Sequence, residues 1–323
     1  MSAAPARHRA SGLALGLASA LAFGGSGPVA KPLISAGIDP LHVTWLRLAG
    51  VALVLLPVAW RYRSVVRTHP WLLLAYGVFP MAGVQAFYFA AISRIPVGVA
   101  LLLEFLGPVL VLAWIRAVRR QHVSRAAAIG VILAVAGLGC LVEVWAGATL
   151  DPVGVALGLA AAACQAGYFL ISDSAGDEVD PVALIAFGSI AATVLITVVA
   201  RPWELDWAVL AAQVPVSGVE VPAMALVAWI VLVTTALAYV TGVAAIRRLS
   251  PVVAGAVAYL EVVTAIVLAW LMLGEALSTA QTVGAVIVVA GAFIAQSAVP
   301  SAAPPPPDPP RDQDRAPGQS RPV

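Results

Sequence analysis

The sequence predicts an all-α membrane protein with ten transmembrane helices, arranged as a 5+5 inverted-topology repeat with both termini cytoplasmic. Three observations carry this expectation: the composition, a succession of apolar segments of spanning length, and an internal repetition whose unit holds an odd number of those segments. Of 323 residues, 61% are hydrophobic and only 11% are charged, against about 25% charged in soluble domains. The net charge of +2 is too small to suggest a nucleic-acid partner. Cys140 and Cys164 both fall inside apolar segments and outside any CxxC or metal-ligand spacing, so they read as small hydrophobes.

In chain order, residues 1–10 form a polar, basic N-terminus with Arg7, His8 and Arg9. An apolar helix follows from about Gly12 to Ile34. Its Ala18-Ser19-Ala20 imitates a signal-peptide cleavage site, but the apolar stretch continues beyond it, which suits a retained helix. Further apolar segments run roughly 41–60, 70–92, 96–115, 126–146, 152–172, 182–200, 222–246, 251–273 and 279–298. From 299 to 323 the chain is proline-rich and then polar, the composition of a disordered tail.

Lysine and arginine orient the chain. With the N-terminus in the cytoplasm, the cytoplasmic connections receive Arg61, Arg63 and Arg67, then Arg116, Arg119, Arg120 and Arg125, then Arg247 and Arg248. The outer connections receive only Arg94 and Arg201, a strong positive-inside bias. The segment 173–180 is acidic and has no base, but acids count little in this rule.

Gly12 to Ala20 (GLALGLASA) returns as Gly154 to Ala162 (GVALGLAAA). Ala90 to Arg94 (AAISR) returns as Ala244 to Arg248 (AAIRR), and Gly130 to Gly137 (GVILAVAG) as Gly284 to Gly291 (GAVIVVAG). The offset grows from 142 to 154 between the first match and the others, which places an insertion in the 201–220 loop. Two units follow, 11–146 and 152–298, each of five helices. Because five is odd, the second enters the membrane from the opposite side, the architecture of secondary transporters with sites near the midplane between repeats.

The run EFLGP at 104–108 and LGEALS at 273–278, set in two fused five-helix halves, resemble the EamA-type transporters of the drug/metabolite transporter superfamily. Within it, PVGVALLLEFLGP at 96–108, TWLRLA at 44–49 and TTALAY at 234–239 are similar to the bacterial threonine/homoserine exporter subgroup. The resemblance covers about residues 10–298 and implies a multi-pass inner-membrane carrier. The first half departs from it, with Ile115-Arg116 where the second has Leu-Gly-Glu.

Glu104 lies roughly 12 Å inside the core if Pro96 marks the boundary. A carboxylate there costs about 2.5–3.5 kcal/mol on insertion scales, so it faces a polar cavity or a partner. It is a candidate for binding a substrate amine or a coupling proton; the alternative is a structural ion pair with Lys31 or Arg47. Glu261 reaches similar depth past Pro251 and carries the same two readings. Arg47 and Lys31 are candidates for a substrate carboxylate, although Lys31, near the outer end of the first helix, can instead snorkel. Gln85 and Tyr88 share one helical face, as do Gln165 and Tyr168, and Tyr239 occupies the repeat position of Gln85; these line a cavity or hydrogen-bond between helices. Tyr259 and Thr264 are weaker candidates, and Glu143 and Glu275 read as interfacial or capping. Gly130, Gly137, Gly284 and Gly291 read as sites of close helix packing.

No G-x-x-x-x-G-K-[ST], H-E-x-x-H or G-x-S-x-G motif occurs, so no ATPase domain is encoded, intramembrane hydrolysis has little support, and no cofactor is expected. The sequence therefore points to a secondary active transporter, not an enzyme. The resemblance implies export of a small amino acid or related metabolite, for which alternating access, protons as coupling ion and lipid as surroundings are the expectation, compatible with a homo-oligomer. Efflux of hydrophobic or cationic drugs is the alternative, and a lipid-modifying membrane enzyme is a third.

Overall fold

A computed structural model describes residues 3–118, 120, 124–141, 143, 150–175, 179–246, 248–249 and 257–297. The tail at 299–323, Pro251, His122, Asp177, Glu178 and the side chain of Asp173 lie outside the described residues. The fold is that of an all-α membrane protein. Six helical segments are long and apolar enough to cross a membrane: Ala10–Ser35, Pro70–Ile92, Val97–Ala117, Pro152–Ile171, Pro181–Ala200 and Ala223–Ala245. Four shorter apolar helices, Pro40–Val54, Arg125–Leu141, Leu260–Leu273 and Thr279–Ala295, stand at the remaining expected segments.

Proline and aspartate start several of these helices. α3 (Pro40–Val54) and α12 (Pro181–Ala200) each open on a proline, where the missing N–H is an orphan in any case. Asp39 accepts from the Leu41 N–H and Asp180 from the Val182 N–H, both at 2.8 Å, so the two halves use the same cap. At α11 (Pro152–Ala175), Asp151 accepts from the Val153 and Gly154 N–H groups. Arg94 hydrogen-bonds to Asp151 at 3.0 Å and, with the Gly154 N–H, holds that carboxyl below the usual carboxylate range.

Several expected helices are interrupted. The first divides into α1 (Ala3–Gly24) and α2 (Ser26–Ser35) at Gly25. The second divides into α3 and α4 (Leu56–Arg61), whose first turn holds Pro57, and a short α5 (Val65–Thr68) follows. Between α6 (Pro70–Tyr76) and α7 (Val84–Ile92) lies a π-helical segment, Gly77–Gly83, containing Pro80. A second π segment, Leu232–Leu237, separates α13 (Ala223–Val231) from α14 (Ala238–Ile246). The run at 96–115 divides into α8 (Val97–Glu104) and α9 (Gly107–Ala117), with Pro108 in the first turn of α9. α10 (Arg125–Leu141), α15 (Leu260–Leu273) and α16 (Thr279–Ser297) complete the helices.

Glycine lets α10 and α16 meet backbone to backbone. A Cβ on Gly130 would lie 2.6 Å from the Ala295 nitrogen, and one on Gly291 2.4 Å from the Ala134 nitrogen. Likewise Gly137 faces Val288 and Gly284 faces Leu141, at 2.7 and 2.6 Å. Rising numbers on α10 thus meet falling numbers on α16, an antiparallel crossing between the two copies of one repeated octapeptide.

The segment expected to be a loop at 201–220 is more ordered than its composition suggests. Two 3-10 turns lead into β1 (Gln213–Val216), which pairs antiparallel with β2 (Val219–Pro222). Ser217 and Gly218 between them have φ of 51° and 79°, the twist that a two-residue hairpin turn requires. Val214 is buried, so the hairpin packs as part of the protein and does not hang from it.

Gly291→Val is expected to cost about 1–3 kcal/mol by overpacking, read as a lower thermal midpoint in detergent. Gly139→Ala, whose Cβ meets nothing within 4 Å, is the matched control and leaves the midpoint unchanged.

Candidate functional site

Arg47 stands in the middle of α3 and is 2% exposed. Burying a guanidinium is expensive unless its donors and charge find partners. Its Nη1 donates to the Ser26 hydroxyl at 2.5 Å and its Nη2 to the Thr234 carbonyl at 3.4 Å. The group lies over the ring of Phe89, 5.5 Å from the centroid. Its Nε is buried and has no hydrogen-bond partner among the described residues. Among the described residues no carboxylate lies within 4 Å of it.

Helix interruptions supply both neutral partners. Ser26 is the first residue of α2, just past the break at Gly25. Thr234 belongs to the π segment, whose wider turn loosens the carbonyl ladder. There the hydroxyls of Thr234 and Thr235 both donate to the Ile230 carbonyl, at 3.0 and 2.8 Å, while the Thr234 carbonyl turns to Arg47.

The carboxylates also sit at helix ends. Glu104 is the last residue of α8, buried, directly before the break that Pro108 imposes. Glu261, half-buried, is in the first turn of α15, where the helix dipole favours an anion. Both lie within electrostatic reach of Arg47, and Glu104 within reach of Glu261. Tyr88 and Tyr239 lie within electrostatic reach of Arg47 and complete the group. Tyr88 fits against α2 only because residue 27 is glycine: a Cβ there would lie 2.2 Å from the Tyr88 hydroxyl.

Five sequence candidates, Arg47, Tyr88, Glu104, Tyr239 and Glu261, therefore come together. Gln85 is half-buried one turn before Tyr88. Gln165 packs its methylenes beside Gly107, next to the α8–α9 break. Tyr168 hydrogen-bonds Tyr76, the rings meeting edge to face at 5.7 Å, and both interact with Tyr239, whose ring in turn meets Phe23 at 4.9 Å. Tyr259, near Glu261, is buried with its hydroxyl unpartnered, its ring against Phe105 and Phe293.

Lys31 stands apart. The sequence offered it as a partner of Glu104, as a carboxylate binder or as a snorkelling base; it forms instead an ion pair with Glu275 and donates to the Ile95 carbonyl at 3.1 Å. Glu275 also accepts from the Val97 N–H at 2.8 Å, so it caps α8 and not its own helix. Glu143 accepts from the Ser278 hydroxyl. Sequence reasoning missed Ser26, Thr234 and Tyr76 as parts of the site. The Gly24-Gly25 and Pro80 positions signalled the breaks beside Ser26 and Tyr76, while the π segment at Thr234 has no proline to mark it.

Ser26→Ala strands the Nη1 donor of Arg47 and is expected to lower stability by about 1–3 kcal/mol. Thr235→Val costs less, because the Thr234 hydroxyl still serves the Ile230 carbonyl. Thermal midpoints of the two purified variants rank them.

The model of the EamA-like transporter family matches this chain twice, over residues 10–142 and 152–296. The threonine/homoserine exporter RhtA of Escherichia coli (strain K12) is 32% identical over 264 residues, 79% of each chain. Its namesake from Salmonella typhimurium (strain SL1344) is 30% identical over 258 residues, 78% of this chain and 80% of that one. A solved structure shares the fold with a TM-score of 0.58 at 23% identity, over 88% of this chain and 96% of its own. With two matched copies covering most of its length, and apolar helices to carry them, the chain belongs to the EamA-like transporter family and is a multi-pass membrane protein.

Proposed function

We propose that the protein exports a small amino acid of the threonine or homoserine kind, or a related metabolite, across the bacterial inner membrane. In this reading the chain spans the membrane ten times as two inverted five-helix halves, 11–146 and 152–298, with both termini and the 299–323 tail in the cytoplasm. The reciprocal, antiparallel meeting of Gly130 with Gly291 and Gly137 with Gly284 supports the inversion, since exchanging the two copies maps this crossing onto itself. The repeat-related pair of π segments supports it too.

The observation that carries the function is the unpartnered Nε of buried Arg47 beside two carboxylates that do not pair with it. One cation and two acids, in reach but not in contact, leave both a donor for a carboxylate and acceptors for an ammonium. A small zwitterion bridges them and satisfies all three. A cationic drug does not, because it brings no carboxylate for the open guanidinium donor, which weighs against the drug-efflux alternative. Glu104 and Glu261 then share the coupling proton: when the cargo ammonium arrives, the proton it displaces leaves toward the opposite side, and alternating access moves the two in exchange. Gln165 and the Tyr76–Tyr168 pair extend the same polar surface around the cargo side chain. The names of the RhtA relatives and the family membership support this reading over a lipid-modifying enzyme.

Proteoliposomes loaded with a radiolabelled amino-acid panel under an imposed proton gradient test it. Threonine or homoserine flux is expected in the wild type and to fall about tenfold or more in Glu104→Gln at matched incorporation, the worth of a charged hydrogen bond. Absence of amino-acid flux in the wild type removes the cargo; equal flux in the variant removes Glu104 from the mechanism.

A further inference from the structure

We infer that α2 is the outer gate of this carrier: a half-helix hinged at Gly25, latched to the second half by Lys31 and Glu275, and tied at its base to the binding site through Ser26. The two ends of this element do different work. Ser26, its first residue, holds the Arg47 guanidinium at 2.5 Å, and Lys31 stands five residues later, roughly 7.5 Å along the axis.

The latch joins parts of the chain 244 residues apart. Lys31 reaches from α2 to Glu275 and to the Ile95 carbonyl, and the second oxygen of Glu275 takes the Val97 N–H. One carboxylate thus binds α2 and the start of α8, both in the first repeat, to the end of α15 in the second. Their side chains are only 20% and 17% exposed, so the pair is weakly screened.

Glu275 is the fixed post. It follows Gly274, whose φ of 70° ends α15, and the N–H groups of Gly274 and Glu275 bond back to the Trp270 and Ala269 carbonyls, which closes the helix end with a left-handed cap. Ser217 of the hairpin donates to the Leu271 and Met272 carbonyls at 3.3 and 2.9 Å, and β1 packs against α2. The LGE signature and the insertion found only in the second half therefore serve one purpose: they hold the acceptor of the latch in place.

The hinge is the moving part. α1 and α2 join through Gly24 and Gly25, and Gly24 lies so close to α15 that a Cβ would meet the Glu261 carbonyl at 2.7 Å. α1 is thereby clamped below the break, and opening the gate means parting α2 above it from α13 and α15, against which it packs. A cargo carboxylate on the open Nε of Arg47 shares one guanidinium with Ser26, so loading the site is felt at the base of the gate. The outward direction rests on the transport reading; the latch does not.

Electron-spin distance measurement between labels on Ser35→Cys and Ala276→Cys, both exposed positions, in a Cys140→Ala, Cys164→Ala chain in nanodiscs tests the gate. The parent is expected to show a single short distance. Lys31→Met and Glu275→Gln are each expected to raise the ratio of long to short distances roughly tenfold, and Lys31→Arg to leave it unchanged. Glu275→Gln keeps an acceptor for the Val97 N–H, so it reports on the latch even where Lys31→Met fails to fold. Distributions identical to the parent in Glu275→Gln overturn the gate. Opening in the variants of a protein whose wild type carries no amino acid upholds the gate and rejects the cargo reading instead.

Discussion

A guanidinium in the middle of an apolar bundle is the constraint around which this molecule is arranged. Arg47 is always charged, and removing it from water without compensation would cost more than a helical hairpin can supply. The protein compensates without neutralising it: a hydroxyl, a loosened carbonyl and an aromatic face take part of the load, and the carboxylates stay at a distance. A fully paired arginine would be a rivet. One with an open donor can take a ligand, and the proposed transport reading rests on that difference.

Each compensating group comes from a place where a helix is interrupted. In a membrane, backbone groups freed from their ladder must be satisfied inside the protein, so an interruption survives only where something fills it. Here Ser26 follows the Gly25 break, Thr234 lies in a π segment, Glu104 ends α8 and Glu261 begins α15. Intact helices would bury their polar groups in themselves. The broken ones present helix ends and a spare carbonyl around Arg47.

The acids divide by the same physics. Glu275 sits at an end of the bundle, meets a lysine and a helix N-terminus, and is fully engaged in structure. Glu104 and Glu261 lie deeper, face an arginine they do not touch, and keep their acceptors for something else. Membership in the EamA-like family agrees with this split, because a carrier needs both a closing contact and an open site.

Periodicity and composition made the helices, their number of apolar runs and the doubling of the chain legible before any coordinates, because hydropathy over 20 residues is a local property. The same holds for the glycines at which α10 and α16 meet. Partner choice was not legible. In one dimension Lys31 reads as a mate for Glu104, a carboxylate binder or a snorkelling base, and only the packing of α2 against the end of α15 brings it to Glu275. The second π segment and the hairpin were equally hidden, the first because threonine hydroxyls stabilise it without a proline, the second because its short strands are ordered by what they cover. Sequence states which groups are costly to bury; tertiary structure decides which of them are left unpaid, since that depends on distances between residues far apart in the chain.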